Sequence, residues 1–194
     1  MVSSLCFFSR FLTPCFFTTL FKVQLVVISN SIIKLINIFM NNKYINIYNK
    51  LINYTRNKDL YISLNRNDNF SDRLTLFLLH FAFFLKNYQN DKNKAILQEI
   101  YDFNFRQLEL SIREIGYGDQ SINKKMKDYI NLFHSMINEI HHWDELDNQE
   151  KIDKILIFLE DFNEISNLVA YFEDFNKDLS KKNLNYFLKS VSTS

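Results

Sequence analysis

Glycine and proline are scarce in this chain of 194 residues. It contains two glycines and one proline, whereas average usage would supply roughly a dozen glycines and about nine prolines. Sandwiches and barrels need turn residues between many short strands. The scarcity therefore argues against a β-rich architecture and predicts an all-α fold.

Cysteine is equally scarce, and both cysteines, Cys6 and Cys15, lie near the amino terminus. No disulfide framework, thiol redox pair or cysteine-ligated metal site can form in the rest of the chain.

A dinucleotide-binding loop is also missing, because Gly116-x-Gly118 lacks a third glycine and follows a helical pattern rather than a strand.

Acidic residues are absent from the first 58 residues, which carry seven basic residues. The remaining residues carry 16 basic and 22 acidic side chains. The early cations are widely spaced in an apolar sequence, so they do not form the phosphate-tracking surface of a DNA-binding protein. We therefore predict no DNA partner.

This composition divides the chain into a basic, acid-free apolar leader, residues 1–39, and a folded domain, residues 40–194. Three interpretations of the leader stay open. It is an upstream extension of a chain whose synthesis starts at Met40, a transit peptide or a membrane anchor. The stretch from Cys15 to Ile33 is about long enough to span a bilayer, but Lys22 and several polar residues interrupt it.

A sizeable core is expected, because 47% of the residues are hydrophobic and 16% are aromatic. The segment from Leu74 to Leu85 is apolar except for Thr75 and His80. It is too short to cross a bilayer, so we predict that it is the buried central helix of a bundle. Asp72 is predicted to be its N-cap, and residues 60–70 are predicted to form a loop.

Two long amphipathic helices are predicted on either side of the glycines. We expect Gly116 to be the left-handed residue after the first of them, and Asp119 or Ser121 to cap the second near Ile122. Two or three shorter helices follow residue 148, which makes a single helical bundle of six or seven helices. The two predicted apolar faces are Leu97, Tyr101, Phe105, Leu108, Ile112 and Ile115, and then Ile122, Met126, Tyr129, Ile130, Phe133, Ile137 and Ile140.

Histidine and glutamate do not form a convincing metal site. Glu139-x-x-His142 has the spacing of half a di-iron carboxylate site, but no second such pair exists in the sequence. We interpret it as a helix end, and we expect His80 to be a core histidine with a single hydrogen-bonding partner. The sequence shows no motif for a metal site, a cofactor site or a catalytic group of residues. We therefore predict a non-enzymatic binding or scaffolding domain.

Three stretches carry a family resemblance in their order and spacing. They are DRLTLFLLHFAFFL (72–85), IYDFNFRQLELSIREIGYGDQSINKKMK (100–127) and NLVAYFEDFNKDL (167–179). Together they resemble the ubiquinol–cytochrome c chaperone family over about residues 44–180, and REIGYGD is the most specific part. The family pattern favours glycine before Arg73, whereas this chain has Asp72.

The resemblance implies a non-enzymatic assembly factor for the cytochrome bc1 complex, without a cofactor, that binds newly made cytochrome b or another bc1 subunit. It also implies a small partner chaperone, the ribosome and peripheral contact with the inner membrane. The location would be the cytoplasmic face of the inner membrane in a bacterium, or the mitochondrial matrix. The motif positions are candidates for partner binding: Arg73, His80, Arg113, Glu114, Gly116, Gly118, Asp119 and Lys125.

Two further lysines, Lys124 and Lys127, are candidates for contact with a membrane or the ribosome. The chaperone mechanism predicts an exposed apolar groove beside residues 116–120, in which the apolar face of a client helix lies. The alternative function is a helical lipid- or quinone-binding protein at the membrane surface, which requires an enclosed apolar cavity.

Overall fold

The structure is a computed structural model that describes residues 43–63, 69–159 and 164–189, so the predicted leader lies outside the described residues. Within those ranges the chain forms helices and no strands. The predicted all-α bundle is therefore confirmed. The helices are α1 (residues 43–55), α2 (Lys58–Ser63), α3 (Phe70–Tyr88), α4 (Lys94–Glu114), α5 (Asp119–Ile140), a 3₁₀ turn (Trp143–Glu145), α6 (Asn148–Leu156), α7 (Ile165–Ser180) and α8 (Leu184–Leu188).

Helix α3 is the centre of the bundle, as predicted. Every residue from Leu74 to Phe84 is buried, and the helix packs against α5 and α7. A helix that is apolar all round must be covered on all sides to remove that surface from water. The remaining helices supply this cover, and α4 packs in turn on α5.

The start of α3 differs from the prediction. The N-cap is Asn69, whose side chain accepts a hydrogen bond from the backbone N–H of Asp72 at 2.8 Å. The amide nitrogen of Asn69 also donates to the Asp72 carboxylate at 3.0 Å. Asp72 is therefore the third residue of the helix and not its cap. The helix begins three residues earlier than predicted. The reason is that Asn69 accepts a hydrogen bond from one of the backbone N–H groups in the first turn, which have no partner within the helix.

Helix α2 lies where a loop was predicted from residue 60. Its residues Leu60 and Tyr61 are buried, and the Tyr61 hydroxyl donates to the carbonyl of Thr55 at 2.8 Å. A helix of six residues has little stability of its own, so the packing of these two side chains stabilises it.

The carboxyl-terminal helices confirm the prediction of two or three short helices. Helix α6 packs on α7 and begins at a capping box formed by Asp147 and Glu150. Helix α8 is anchored by Leu184 and Phe187, which are both buried. Within the described ranges, none of the helices has the length and hydropathy of a membrane span.

Candidate functional site

The corner between α4 and α5, residues 109–127, carries most of the predicted site residues. Gly116 follows the C-cap residue of α4 and has φ +99°, and its N–H donates to the carbonyl of Arg113 at 2.9 Å. This conformation is the left-handed one predicted for it, and a side chain there would be strained. Gly118 has φ −70° and ψ 155°, so it is extended backbone that any residue adopts.

The capping predicted for α5 is wrong. The helix begins at Asp119 rather than near Ile122, and its N-cap is Gly118, which has no side chain to accept a hydrogen bond. The Asp119 carboxylate instead accepts a hydrogen bond from Nη1 of Arg113 at 2.5 Å. The ion pair therefore uses the carboxylate that a cap would have needed.

Arg113 links the two helices at this corner. Besides Asp119, it binds Glu109, with distances of 3.1 Å from Nε and 2.9 Å from Nη2 to the same carboxylate oxygen. The hydrogen bonds to Glu109 and Asp119 raise the pKa of Arg113 above its usual value. Glu114 is exposed beside this ionic cluster. The cluster lies in solvent, where such pairs contribute little to stability.

Apolar side chains project from the same corner. Leu110, Ile115 and Tyr117 are 44%, 55% and 43% exposed. Ile115 was predicted to continue the buried face of α4, and this is wrong, because the helix ends at Glu114 and the chain turns away from the core. An exposed apolar groove beside residues 116–120 was predicted. The described residues show three exposed apolar side chains at the corner, and whether they line a groove stays a prediction.

Basic side chains border the apolar ones. The ammonium group of Lys125 lies 4.6 Å from the centre of the Tyr117 ring, which is a cation–π distance. Lys124 and Lys127 are exposed on α5. The ion pairs found within the described ranges involve other lysines. The corner therefore combines apolar and cationic surface.

His80 lies in a second, separate place: the core between α3 and α7. It is fully enclosed, with Nδ1 2.6 Å from the carbonyl of Leu76 and Nε2 2.7 Å from the hydroxyl of Tyr171. Because a carbonyl only accepts, Nδ1 carries the proton and Nε2 accepts from Tyr171. The prediction of a core histidine holds, but with two partners rather than one.

Aromatic rings surround this histidine. Its ring is stacked on Tyr54, with ring centres 5.7 Å apart, and it contacts Phe172 and Phe175 at 5.0 and 4.8 Å. Burial is the main cause that lowers the pKa of His80 from 6.5 to about 4, against a smaller opposing effect of the hydrogen bond to Leu76. The neutral imidazole thus joins α3 to α7, which brings together two of the three stretches that carry the family resemblance.

The remaining site candidates fall outside both clusters or into separate ion pairs. Arg73 is exposed in the first turn of α3. Glu139 pairs with Lys154, whereas His142 has its Nδ1 3.3 Å from a carboxylate oxygen of Glu145. The two residues of the di-iron spacing therefore have different partners.

Sequence reasoning did not select Leu110, Tyr117 or Tyr171 as site residues. Leu110 gives a usable signal, because it lies off the apolar face predicted for α4 and so had to be exposed. Tyr117 lies between the two glycines of a turn, outside both predicted apolar faces. Tyr171 offers no local signal, since its partner His80 is 91 residues away in the chain.

The alternative of a lipid or quinone site has little support in the described residues. A depression between α3 and α4 has an empty volume of about 130 Å³, below the roughly 300 Å³ at which small-molecule pockets begin. It is lined by Phe77, Leu78, Phe81, Asn104, Phe105 and Leu108.

Comparisons with known proteins agree with these elements. Residues 63–147, which include α3, α4 and the corner, match the family model described as Ubiquinol-cytochrome C chaperone. The fold is similar to the crystal structure of the Cbp3 homolog from Brucella abortus, with a TM-score of 0.64 and 23% identity over 81% of this chain and 92% of that chain. No curated protein sequence matches the chain. The family match over residues 63–147 confirms the resemblance to the ubiquinol–cytochrome c chaperone family for that segment, and the structural match shows that the fold is shared.

Proposed function

We propose that this protein is a non-enzymatic assembly chaperone of the cytochrome bc1 complex, and that it binds newly made cytochrome b through the corner between α4 and α5. The observation that carries the proposal is the exposure of Leu110, Ile115 and Tyr117. These three large apolar side chains lie within eight consecutive residues, inside the segment that matches the family.

Cytochrome b, an apolar helical client, needs its helix faces shielded from water before assembly. Apolar contact with the corner removes client surface from water at roughly 25 cal/mol per Å². Three side chains cover only part of a client helix, which fits a contact that is made and released again during assembly. The chaperone needs no catalytic group for this task.

Charges around the apolar side chains orient the client. Arg113, Glu109 and Asp119 form an ionic cluster at the corner, and Lys124, Lys125 and Lys127 carry positive charge in the first turns of α5. Charged rims of this kind set register and association rate more than affinity. The same lysines suit acidic headgroups of the inner membrane or ribosomal RNA.

The same proposal covers location and partners. The protein would work where cytochrome b is inserted, at the cytoplasmic face of the inner membrane in a bacterium or at the matrix side in a mitochondrion. A small partner chaperone and the ribosome are the further partners that the family resemblance implies.

Capture of cytochrome b tests the proposal. The tagged full-length chain is mixed with cytochrome b translated in vitro in the presence of mild detergent, and bound cytochrome b is quantified. We expect the double variant Ile115→Ser with Tyr117→Ser to capture several-fold less than the wild type. Ile157→Ser is the matched control, because Ile157 at the end of α6 is as exposed as Ile115, at 55%.

The outcomes are distinct. Equal capture by the wild type and the double variant would contradict a client site at the corner. Equal loss in the double variant and in Ile157→Ser would show non-specific apolar adsorption, which also contradicts it. Circular dichroism of each variant separates loss of binding from loss of folding.

A further inference from the structure

Lys125 is the cation of the corner that lies against its apolar surface. Its ammonium group is 4.6 Å from the centre of the Tyr117 ring. The lysine is half-buried, whereas Tyr117 is 43% exposed. A cation over an aromatic face is attracted by the ring quadrupole. The contact therefore holds a positive charge beside one of the three exposed apolar side chains of the corner.

The geometry of α5 separates Lys125 from the two other lysines nearby. Successive residues are turned by about 100° around a helix axis, so Lys124 lies about 100° and Lys127 about 160° away from Lys125. Lys125 shares its side of the helix with Ile122, which precedes it by three residues and is buried. Lys124 and Lys127 are exposed. Lys125 thus borders the packed side of α5, and the other two lysines lie on its solvent side.

The charge of Lys125 has no carboxylate to balance it. In the part of the chain that the structure describes, the ion pairs do not include this lysine. Glu109 and Asp119, the nearest acidic residues of the ionic cluster, are already bound to Arg113. An ammonium group has three N–H donors. Lys125 can therefore bind an oxygen acceptor of a partner while it stays over the Tyr117 ring.

We propose that Lys125 makes the corner selective for client helices that carry a carboxylate one turn away from the apolar residue that contacts Tyr117. The inference rests on the proposed function, because it concerns the same site. Residues three or four positions apart on a helix have Cβ atoms about 5–6 Å apart. The ring centre and the ammonium group of the corner are 4.6 Å apart. One apolar and one acidic residue on the same face of a client helix therefore match the two groups.

A single carboxylate suits this place better than a bilayer surface or the backbone of RNA. Both of these are extended arrays of anions, and they attract several cations on one face of a protein. Lys125 is turned away from Lys124 and Lys127 around the helix. Its position over the ring also restricts its motion before a partner arrives, which lowers the entropy cost of binding.

Two synthetic helical peptides made of leucine, alanine and glutamine test the proposal on the full-length protein. Each has one leucine stripe and one glutamate, so their net charges are equal. In the first peptide the glutamate follows a leucine of the stripe by four residues, and in the second it lies on the opposite face. Fluorescence anisotropy measures binding. We expect the wild type to bind the first peptide several-fold more tightly than the second.

Lys125→Met should abolish this preference, because methionine keeps an apolar side chain over the ring but has no charge. Lys127→Met is the matched control, since it removes the same charge from the solvent side of α5, and it should keep the preference. Equal binding of the two peptides by the wild type would overturn the proposal. So would a preference that Lys125→Met keeps, or one that both variants lose, because the latter would show attraction by net charge alone.

Vesicles of phosphatidylglycerol test the lipid alternative. Vesicle binding that Lys125→Met abolishes, together with equal binding of the two peptides by the wild type, would assign Lys125 to lipid headgroups and overturn the proposal. The double variant Ile115→Ser with Tyr117→Ser separates this inference from the proposed function. If that variant captures cytochrome b as well as the wild type does, the proposed client site itself fails. If it loses capture while Lys125→Met keeps the peptide preference, only the role of Lys125 fails.

Discussion

Two regions of this protein carry the residues that resemble the chaperone family, and they differ in exposure. At the corner, residues 113–121 are all exposed. In the core, His80 is enclosed and bonded on both ring nitrogens. The stretches that resemble the family therefore contain two kinds of residue. Some determine how the helices pack, and others form an exposed surface that a partner can contact. Substitutions in the core should change stability, and substitutions at the corner should change binding.

The largest expected effect on stability comes from His80→Ala. The substitution leaves a cavity among four aromatic rings and an unpaired Tyr171 hydroxyl, which together should lower the free energy of unfolding by about 3 kcal/mol. Tyr171→Phe is the matched control, since it removes only the hydroxyl and should cost about 1 kcal/mol. Urea denaturation measures both. A smaller loss for His80→Ala than for Tyr171→Phe would contradict the packing role.

The same histidine predicts a dependence of stability on pH. Its pKa falls from 6.5 to about 4 on folding, so between these values the unfolded chain binds more protons than the folded one. The free energy of unfolding should therefore be undiminished above pH 6.5 and fall by about 3 kcal/mol as the pH drops towards 4. Chemical denaturation at several pH values measures this.

The control is the variant His80→Gln. Glutamine at this position cannot be protonated, and all the carboxylates of the protein are the same as in the wild type. Among these, the pKa of Asp144 is lowered by the ion pair with Lys86, although burial alone would raise it. Protonation of the carboxylates lowers the free energy of unfolding equally in both proteins. The difference between the two curves of unfolding free energy against pH is therefore due to His80. If both proteins lose the same stability over this range, the buried neutral imidazole is refuted.

A smaller effect is expected at the glycines of the corner. Gly116→Ala places a side chain at φ +99° and should lower the free energy of unfolding by about 1 kcal/mol. Gly118→Ser has extended backbone and open space around it, and it adds the missing cap, so it should raise stability by about 0.5 kcal/mol. Thermal unfolding compares them. Equal changes of the same sign would mean that backbone conformation does not distinguish the two glycines.

The smallest effect on stability is expected for Arg113→Gln, because the ion pairs with Glu109 and Asp119 are exposed to solvent. Its unfolding curve should overlay that of the wild type, while capture of cytochrome b should weaken. Asp119→Asn should behave in the same way. Unfolding of either variant under the conditions of the capture assay would show instead that the corner is needed for the fold.

The sequence predicted the parts of the fold that depend on local periodicity. The buried helix α3 and the amphipathic helices α4 and α5 follow from the spacing of their apolar residues. The left-handed Gly116 follows from its place just beyond a helix that contains no other glycine. At these positions each residue's own preference agrees with the packing around it.

The errors have a shared physical cause, which is competition between local partners. Asn69 rather than Asp72 caps α3, because the two residues pair and either order looks plausible in sequence. Asp119 does not cap α5, because Arg113 binds its carboxylate across the turn. The pair of His80 and Tyr171 depends on how α7 lies on α3, which no local pattern reveals.

The enclosure of α3 on every side sets the timescale of hydrogen exchange in this domain. Amides from Leu76 to Phe84 can exchange with deuterium only when the whole bundle opens, whereas the amides of α8 exchange whenever that short helix detaches. Release of α8 is therefore expected to leave the slow exchange of α3 unchanged. Slow exchange in α3 supplies an internal reference against which each such local opening can be measured.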